Sequence, residues 1–252
     1  MVLFHAKLLH GKTILVTGAS SGLGAHFAAL VAEMGATVVV AARRAERLAA
    51  VAESIRSAGG ECQVALLDVT DAASIEAAIA SLPAIDVLIN NAGIVREGAC
   101  LDLAEDDWDA VIDTDLKGMF LVAQAVARRM RDQGGGAIVN IASILALRQA
   151  SGVLPYAVAK SGVVQMTKTM ALELARYGVR VNALAPGYLA TELNEEFLRT
   201  PAGKALIRRV PQRRLGELAE LDGPLLLLAS PASSFMTGAI IAVDGGHLVS
   251  TL

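Results

Sequence analysis

A basic surface is the first thing this chain lacks. Lys and Arg number 22 against 25 Asp and Glu, a formal net charge of -3, so the field that holds a nucleic acid is missing. Cysteine is scarce too. Cys62 and Cys100 have no metal-ligand spacing and cannot build a disulfide framework, so the expectation is two buried free thiols, no metal, and a reducing, cytoplasmic compartment. No apolar run approaches the roughly 20 residues that cross a bilayer, which argues against a membrane partner. Leu225 to Ala229 is read instead as a buried helix face. At the start, His5, Lys7 and His10 interrupt the mildly apolar residues before a signal-peptide core can form, and the segment is read as mature sequence. Low-complexity tracts, charge blocks and linkers are missing as well; Gly134 to Gly136 is only a short turn into a strand. A single domain spanning 1–252 is expected.

The chain does have a high apolar content, 54% hydrophobic with only 4% aromatic, as helix-on-sheet packing needs. β-branched runs alternate with Ala-rich amphipathic stretches. Strands are expected at Thr13–Thr17, Thr37–Ala41, Gln63–Leu67, Val87–Asn90, Ala137–Ile141, Val179–Ala183 and Ala239–Val243, with helices between them. Each parallel crossover needs a helix to return the chain, so the rhythm predicts an α/β fold, a doubly wound parallel sheet with helices on both faces. Ligands then collect at the carboxyl ends of the strands.

Two motifs stand out, one of them at such an end. The first strand stops at Thr17, and Gly18, Ala19, Ser20, Ser21, Gly22, Leu23 and Gly24 lead into a helix running through Ala28 to Met34. Gly18 permits the turn, Gly22 lets backbone N–H groups approach a pyrophosphate, and Gly24 lets the helix lie close to the sheet. Past the middle, Tyr156 and Lys160 stand at i,i+4 spacing on an expected helix and project from one face, with Ser143 upstream. A free phenol titrates at about 10. A neighbouring ammonium and an oxidised nicotinamide ring both favour its anion, so Tyr156 is expected to exchange a proton near neutrality.

Taken together these residues resemble the short-chain dehydrogenase/reductase family in its compact single-domain branch. The resemblance rests on the Gly loop, Asp68-Val69, Asn90-Asn91-Ala92-Gly93, Ser143, Tyr156 with Lys160, Pro186-Gly187 with Thr191, and Val243-Asp244-Gly245-Gly246, and covers nearly the whole chain. It implies a seven-stranded Rossmann-type sheet, a nicotinamide cofactor, and hydride transfer between that cofactor and a ketone or secondary alcohol. Asp68 and Val69 would flank the adenine, Asn91 with Ala92 and Gly93 the ribose side, and Leu189 and Thr191 the carboxamide. Ser143 would hydrogen-bond the reacting oxygen, and Lys160 would hold the ribose hydroxyls. A homotetramer is implied too, with helices around Ala104–Arg131 and Pro155–Tyr177 pairing across a two-fold axis and Gly246 to Leu252 reaching a neighbouring subunit.

One position departs from the family: Asp115 stands where relatives carry an asparagine that kinks a helix and, through its backbone carbonyl, holds a water. Its backbone role survives the change, while its charge would act on Lys160 if the two are close. At the second strand, Ala42 takes the place of the acid that binds the ribose hydroxyls of NAD, and Arg43 and Arg44 follow. That pair points to the 2'-phosphate of NADP(H), with NAD(H) left open; the plainer reading is two solvated arginines pairing with Glu46 or another exposed acid. The segments expected around the substrate are Val95 to Gly98, Ile144 to Leu154, Tyr188 and Glu192 to Arg214, and Ile144, Leu145, Leu147, Val153 and Leu154 suggest a ketone or secondary alcohol with hydrophobic bulk. Arg208, Arg209, Arg213 and Arg214 leave room for an anionic handle, or a solvated surface. A catalytically weak NADP-binding regulator on the same fold is the alternative, opposed by the intact Ser143, Tyr156 and Lys160.

Overall fold

The computed structural model describes residues 8–190 and 200–250. Its strands are β1 (Thr13–Thr17), β2 (Thr37–Ala42), β3 (Glu61–Leu66), β4 (Val87–Asn90), β5 (Gly136–Ile141), β6 (Val179–Pro186) and β7 (Ile240–Val243). All run parallel in the order β3-β2-β1-β4-β5-β6-β7. Successive side chains on a strand point to opposite faces, and the buried residues sort that way. Ile14, Val16, Val38 and Val40 face one layer, whereas Leu15 and Val39 face the other. The first layer holds α1 (Gly22–Glu33), α2 (Ala45–Ser57) and a helix at Asp222–Ala229, contributing Phe27, Val31, Leu48, Leu225 and Leu228. The second holds α3 (Ala72–Ser81), α5 (Met119–Gln133) and part of α6 (Leu154–Leu174), with Ile75, Ile79, Val122, Val126 and Met130. Burying each large apolar side chain contributes about 1.5–3 kcal/mol, and Phe27 and Met130 are fully buried.

Differences from the sequence-based expectations have local causes. β3 begins two residues earlier than expected, because Glu61 and Cys62 pair with Thr37 and Val38. β6 continues to Pro186 because β7 pairs with it from Ala183 onward. The stretch read as one helix over 104–131 is divided into α4 (Glu105–Ile112), a π-helical turn at Asp113–Gly118, and α5. Cys62 is buried as expected, but Cys100 is exposed: it lies on the loop between β4 and α4, outside both layers.

A chain of buried polar side chains crosses the middle of the sheet. Asn90 Nδ2 donates to the Met119 carbonyl (2.8 Å) and to Asn140 Oδ1 (3.0 Å), and Asn140 Nδ2 donates to Thr167 Oγ1 (2.9 Å). Thr17 Oγ1 accepts the Asn91 and Ala92 N–H groups. Such groups are buried without penalty only when their bonds are made. Here they fix the ends of β1, β4 and β5 relative to α5 and α6, which carry the candidate chemistry.

Candidate active site

The sheet order reverses between β1 and β4, and the crevice of such a reversal opens at the carboxyl ends of the strands. Nearly every candidate lies there. Gly18, Ser20, Ser21, Gly22, Leu23 and Gly24 join β1 to α1; Arg43 and Arg44 follow β2; Asp68 and Val69 follow β3; Asn91, Ala92 and Gly93 follow β4; Ser143 follows β5. Pro186 ends β6, with Gly187 and Leu189 beyond it, and Leu189 bridges to Gly216. Thr191 lies outside the described residues.

The Gly-rich loop fits a pyrophosphate. A Cβ on Gly24 would stand 2.3 Å from the Gly18 carbonyl oxygen and 2.7 Å from Asn91 Nδ2, so only glycine lets α1 start this close to the sheet. Asn91 Nδ2 itself donates to the Thr17 carbonyl (3.0 Å), tying the loop to β4. At Gly22, by contrast, the space is open. Ser21, the residue that caps α1, makes no side-chain capping bond, so the first N–H groups of the helix stay available to an anion.

Arg44 lies over this loop. Its Nη2 donates to Ser20 Oγ (2.7 Å) and Ser21 Oγ (3.0 Å), and its Nε to Ser20 Oγ (3.2 Å). The plainer alternative, pairing with Glu46 or another exposed acid, is met by Arg43, which lies 3.9 Å from the partly exposed Asp68, whereas Arg44 holds the loop serines. Burial acts to raise the Asp68 carboxyl, but the Thr70 N–H and hydroxyl bonds and the Arg43 charge outweigh it and hold it below its ordinary range.

On the other side of the crevice, α6 carries Tyr156 and Lys160 one turn apart. Lys160 is 3% exposed, its Nζ 5.6 Å from the centre of the half-buried Tyr156 ring and 3.1 Å from the Ile141 carbonyl, to which it donates. Ser143 begins the short 3-10 turn Ile144–Ala146 and accepts the Leu145 N–H with its Oγ (3.1 Å), which leaves the hydroxyl proton free to be donated. Ser161 Oγ donates to the Ala146 carbonyl and docks that turn against α6.

Asp115 arrives from the π-helical turn. It is fully buried, accepts the Ile94 N–H with Oδ1 (2.7 Å), and places Oδ2 3.2 Å from Lys160 Nζ, within ion-pair reach though out of hydrogen-bond alignment. Burial pushes its carboxyl above the usual range, against the opposing pull of Lys160 and the Ile94 N–H. A Cβ on Gly93 would fall 2.7 Å from Asp115 Oδ2 and 3.3 Å from Lys160 Nζ, so the glycine makes room for the pair.

Sequence reading missed three supports of this site: the Asn140–Thr167 link from the motif residue Asn90, Ile94, and Met119, whose Sδ lies 3.7 Å from Lys160 Nζ. Asn90 and Asn140 did leave a signal, as amides inside otherwise apolar strands. Ile94 acts through its backbone and leaves none. Of the four arginines considered for an anionic handle, Arg214 is paired with Glu220 and Arg213 donates to the Arg208 carbonyl, whereas the charge of Arg209 reaches Tyr188 and His247. The C-terminal residues His247 and Ser250 are held by Arg148 of the same chain.

Known proteins resemble this chain along nearly its whole length. The model for short chain dehydrogenases matches residues 12–202. The 3-oxoacyl-acyl-carrier-protein reductase of Thermotoga maritima is 40% identical over 245 residues, covering 96% of this chain and 99% of the relative. The gluconate 5-dehydrogenase of Gluconobacter oxydans is 40% identical over 247 residues, 96% of each chain. Among solved structures, a gluconate 5-dehydrogenase from Burkholderia cenocepacia in complex with NADP and tartrate superposes with a TM-score of 0.93 at 40% identity, covering 98% of both chains. With the Rossmann-type sheet, the Gly-rich loop and the Ser143, Tyr156 and Lys160 group in place, the chain belongs to the short-chain dehydrogenase family of oxidoreductases.

Proposed function

We propose that this protein interconverts a ketone and a secondary alcohol with NADP(H), using Tyr156 as the acid/base. The observation that carries the reading is the placement of Tyr156 and the buried Lys160 on one face of α6, opposite the end of β5 that bears Ser143. Bound NADPH supplies the hydride. Tyr156 Oη gives its proton to the substrate oxygen during reduction and takes it back during oxidation, while the Ser143 hydroxyl donates to that same oxygen. Lys160, anchored on the Ile141 carbonyl, places its Nζ 5.6 Å from the centre of the Tyr156 ring. The preference for NADP(H) over NAD(H) rests on Arg44 and Arg43 and on Ala42 in place of an acid.

Near the site Val95, Leu147 and Leu154 leave apolar surface exposed, which supports a substrate with an apolar arm. A substrate with a carboxylate is the second reading, favoured by the charges of Arg148 and Arg209 around Tyr188 and His247. NADPH oxidation against bulky apolar ketones and against keto acids separates the two: turnover confined to keto acids rejects the apolar reading. For assembly, Phe120 on α5 and Val158 and Leu172 on α6 are exposed and support burial of these helices against further copies in a homotetramer. Among the described residues no helix is long and apolar enough to cross a membrane, and a cytoplasmic location is the reading consistent with two free cysteines.

A further inference from the structure

Lys160 is not a lone cation near Tyr156. Asp115 Oδ2 is 3.2 Å from its Nζ, and the two side chains are 0% and 4% exposed. Among the described residues the buried ionisable side chains are Asp115, Lys160, His247 and the Cys62 thiol, and the charge acting on Asp115 is that of Lys160. The groups facing the pair are the Ile94 N–H, the Gly93 backbone, the Ile141 carbonyl, Met119 Sδ and the Tyr156 ring, none carrying a formal charge while the phenol is protonated. Asp113 and Lys117, on the same π-helical turn, pair with each other at the surface. With Asp115 ionised beside the Lys160 ammonium, the pair has no net charge. An uncompensated ammonium at that distance would draw Tyr156 toward its anion; a neutral pair does so far less.

We propose that Asp115 is a positioning residue that acts through Lys160, cancelling its charge so that Tyr156 keeps its proton to higher pH and the site is set to donate that proton in carbonyl reduction. This rests on Tyr156 being the acid/base. The carboxylate also fixes where Nζ sits, since its Oδ1 is anchored on the Ile94 N–H and its Oδ2 occupies the space that the missing Cβ of Gly93 leaves beside Nζ.

The test needs no substrate. Phenolate absorbance of the full-length protein is titrated against pH, and the curve of Tyr156→Phe is subtracted, which removes Tyr177 and Tyr188 and isolates Tyr156. In Asp115→Asn, which keeps the shape and removes the charge, the midpoint should fall by about one pH unit or more, a tenfold change in the equilibrium. An unchanged or raised midpoint in Asp115→Asn overturns the inference. If that variant does not fold, the native midpoint decides: near or above the free-phenol value of about 10 supports charge cancellation, and any lower midpoint refutes it. Failure of the underlying reading has a different signature, a Tyr156→Phe protein that still reduces ketones.

Discussion

The Arg44 guanidinium reaches back over the Gly-rich loop and grips Ser20 Oγ with two nitrogens, at 2.7 and 3.2 Å. On the proposed NADP(H) preference, this cation, two residues past the end of β2, is assigned to the 2'-phosphate, with Arg43, paired with Asp68, beside it. Arg44→Ala should therefore weaken NADPH binding about tenfold or more, the loss expected for a charge-assisted hydrogen bond, while NADH binding changes little. Arg43→Asp should move preference toward NADH. Fluorescence titration with the two reduced cofactors checks both, and an unchanged NADPH affinity in both variants rejects the assignment.

The amide chain through the sheet should be structural. Asn140→Ala leaves Asn90 Nδ2 with one partner fewer and takes a donor from Thr167 Oγ1, all fully buried. A cost of about 1–3 kcal/mol in unfolding free energy is expected, because a buried polar group loses its bond without regaining water. Urea unfolding of Asn140→Ala beside Thr167→Val measures it, and a loss under about 0.5 kcal/mol would mean the chain does not brace the site.

At the surface, two hydrogen bonds from Arg214 and one from the Glu217 N–H pull the Glu220 carboxyl down to about 2. A depressed carboxyl contributes its stability above the unfolded-state value, and that contribution disappears as pH falls through the folded one. The turn at Leu218–Leu221 should thus keep its cap at neutral pH and lose it between about 4.5 and 2. In Arg214→Ala the carboxyl carbon of Glu220, followed by NMR, should titrate at higher pH; the same midpoint in both proteins would show that the pair is not formed in solution.

Much of this architecture could be read from residues alone. The bounds of β1 and β4 match the β-branched runs at Thr13–Thr17 and Val87–Asn90, since strands buried on both faces leave short continuous apolar segments. Loop glycines were legible because their need is steric, and Tyr156 with Lys160 because helical spacing fixes a shared face. The π-helical turn was not: its one-residue widening leaves no mark on hydrophobic period, and it took the fold to show that Asp115 points inward at Lys160. Nor could Arg44 be preferred to Arg43, since neighbouring residues differ only in direction once β2 is placed against the loop. Cys100 was expected to be buried on residue type alone, and its loop position decided otherwise.

Tyr156→Phe tests the central claim most directly. NADPH oxidation by the purified protein is followed against a panel of apolar ketones and keto acids, with the variant assayed in parallel and NADPH binding measured in both. Removing the phenolic oxygen should abolish turnover, by at least about a hundredfold for a general acid, while NADPH still binds. A Tyr156→Phe protein that reduces the same ketones at near the native rate would contradict it.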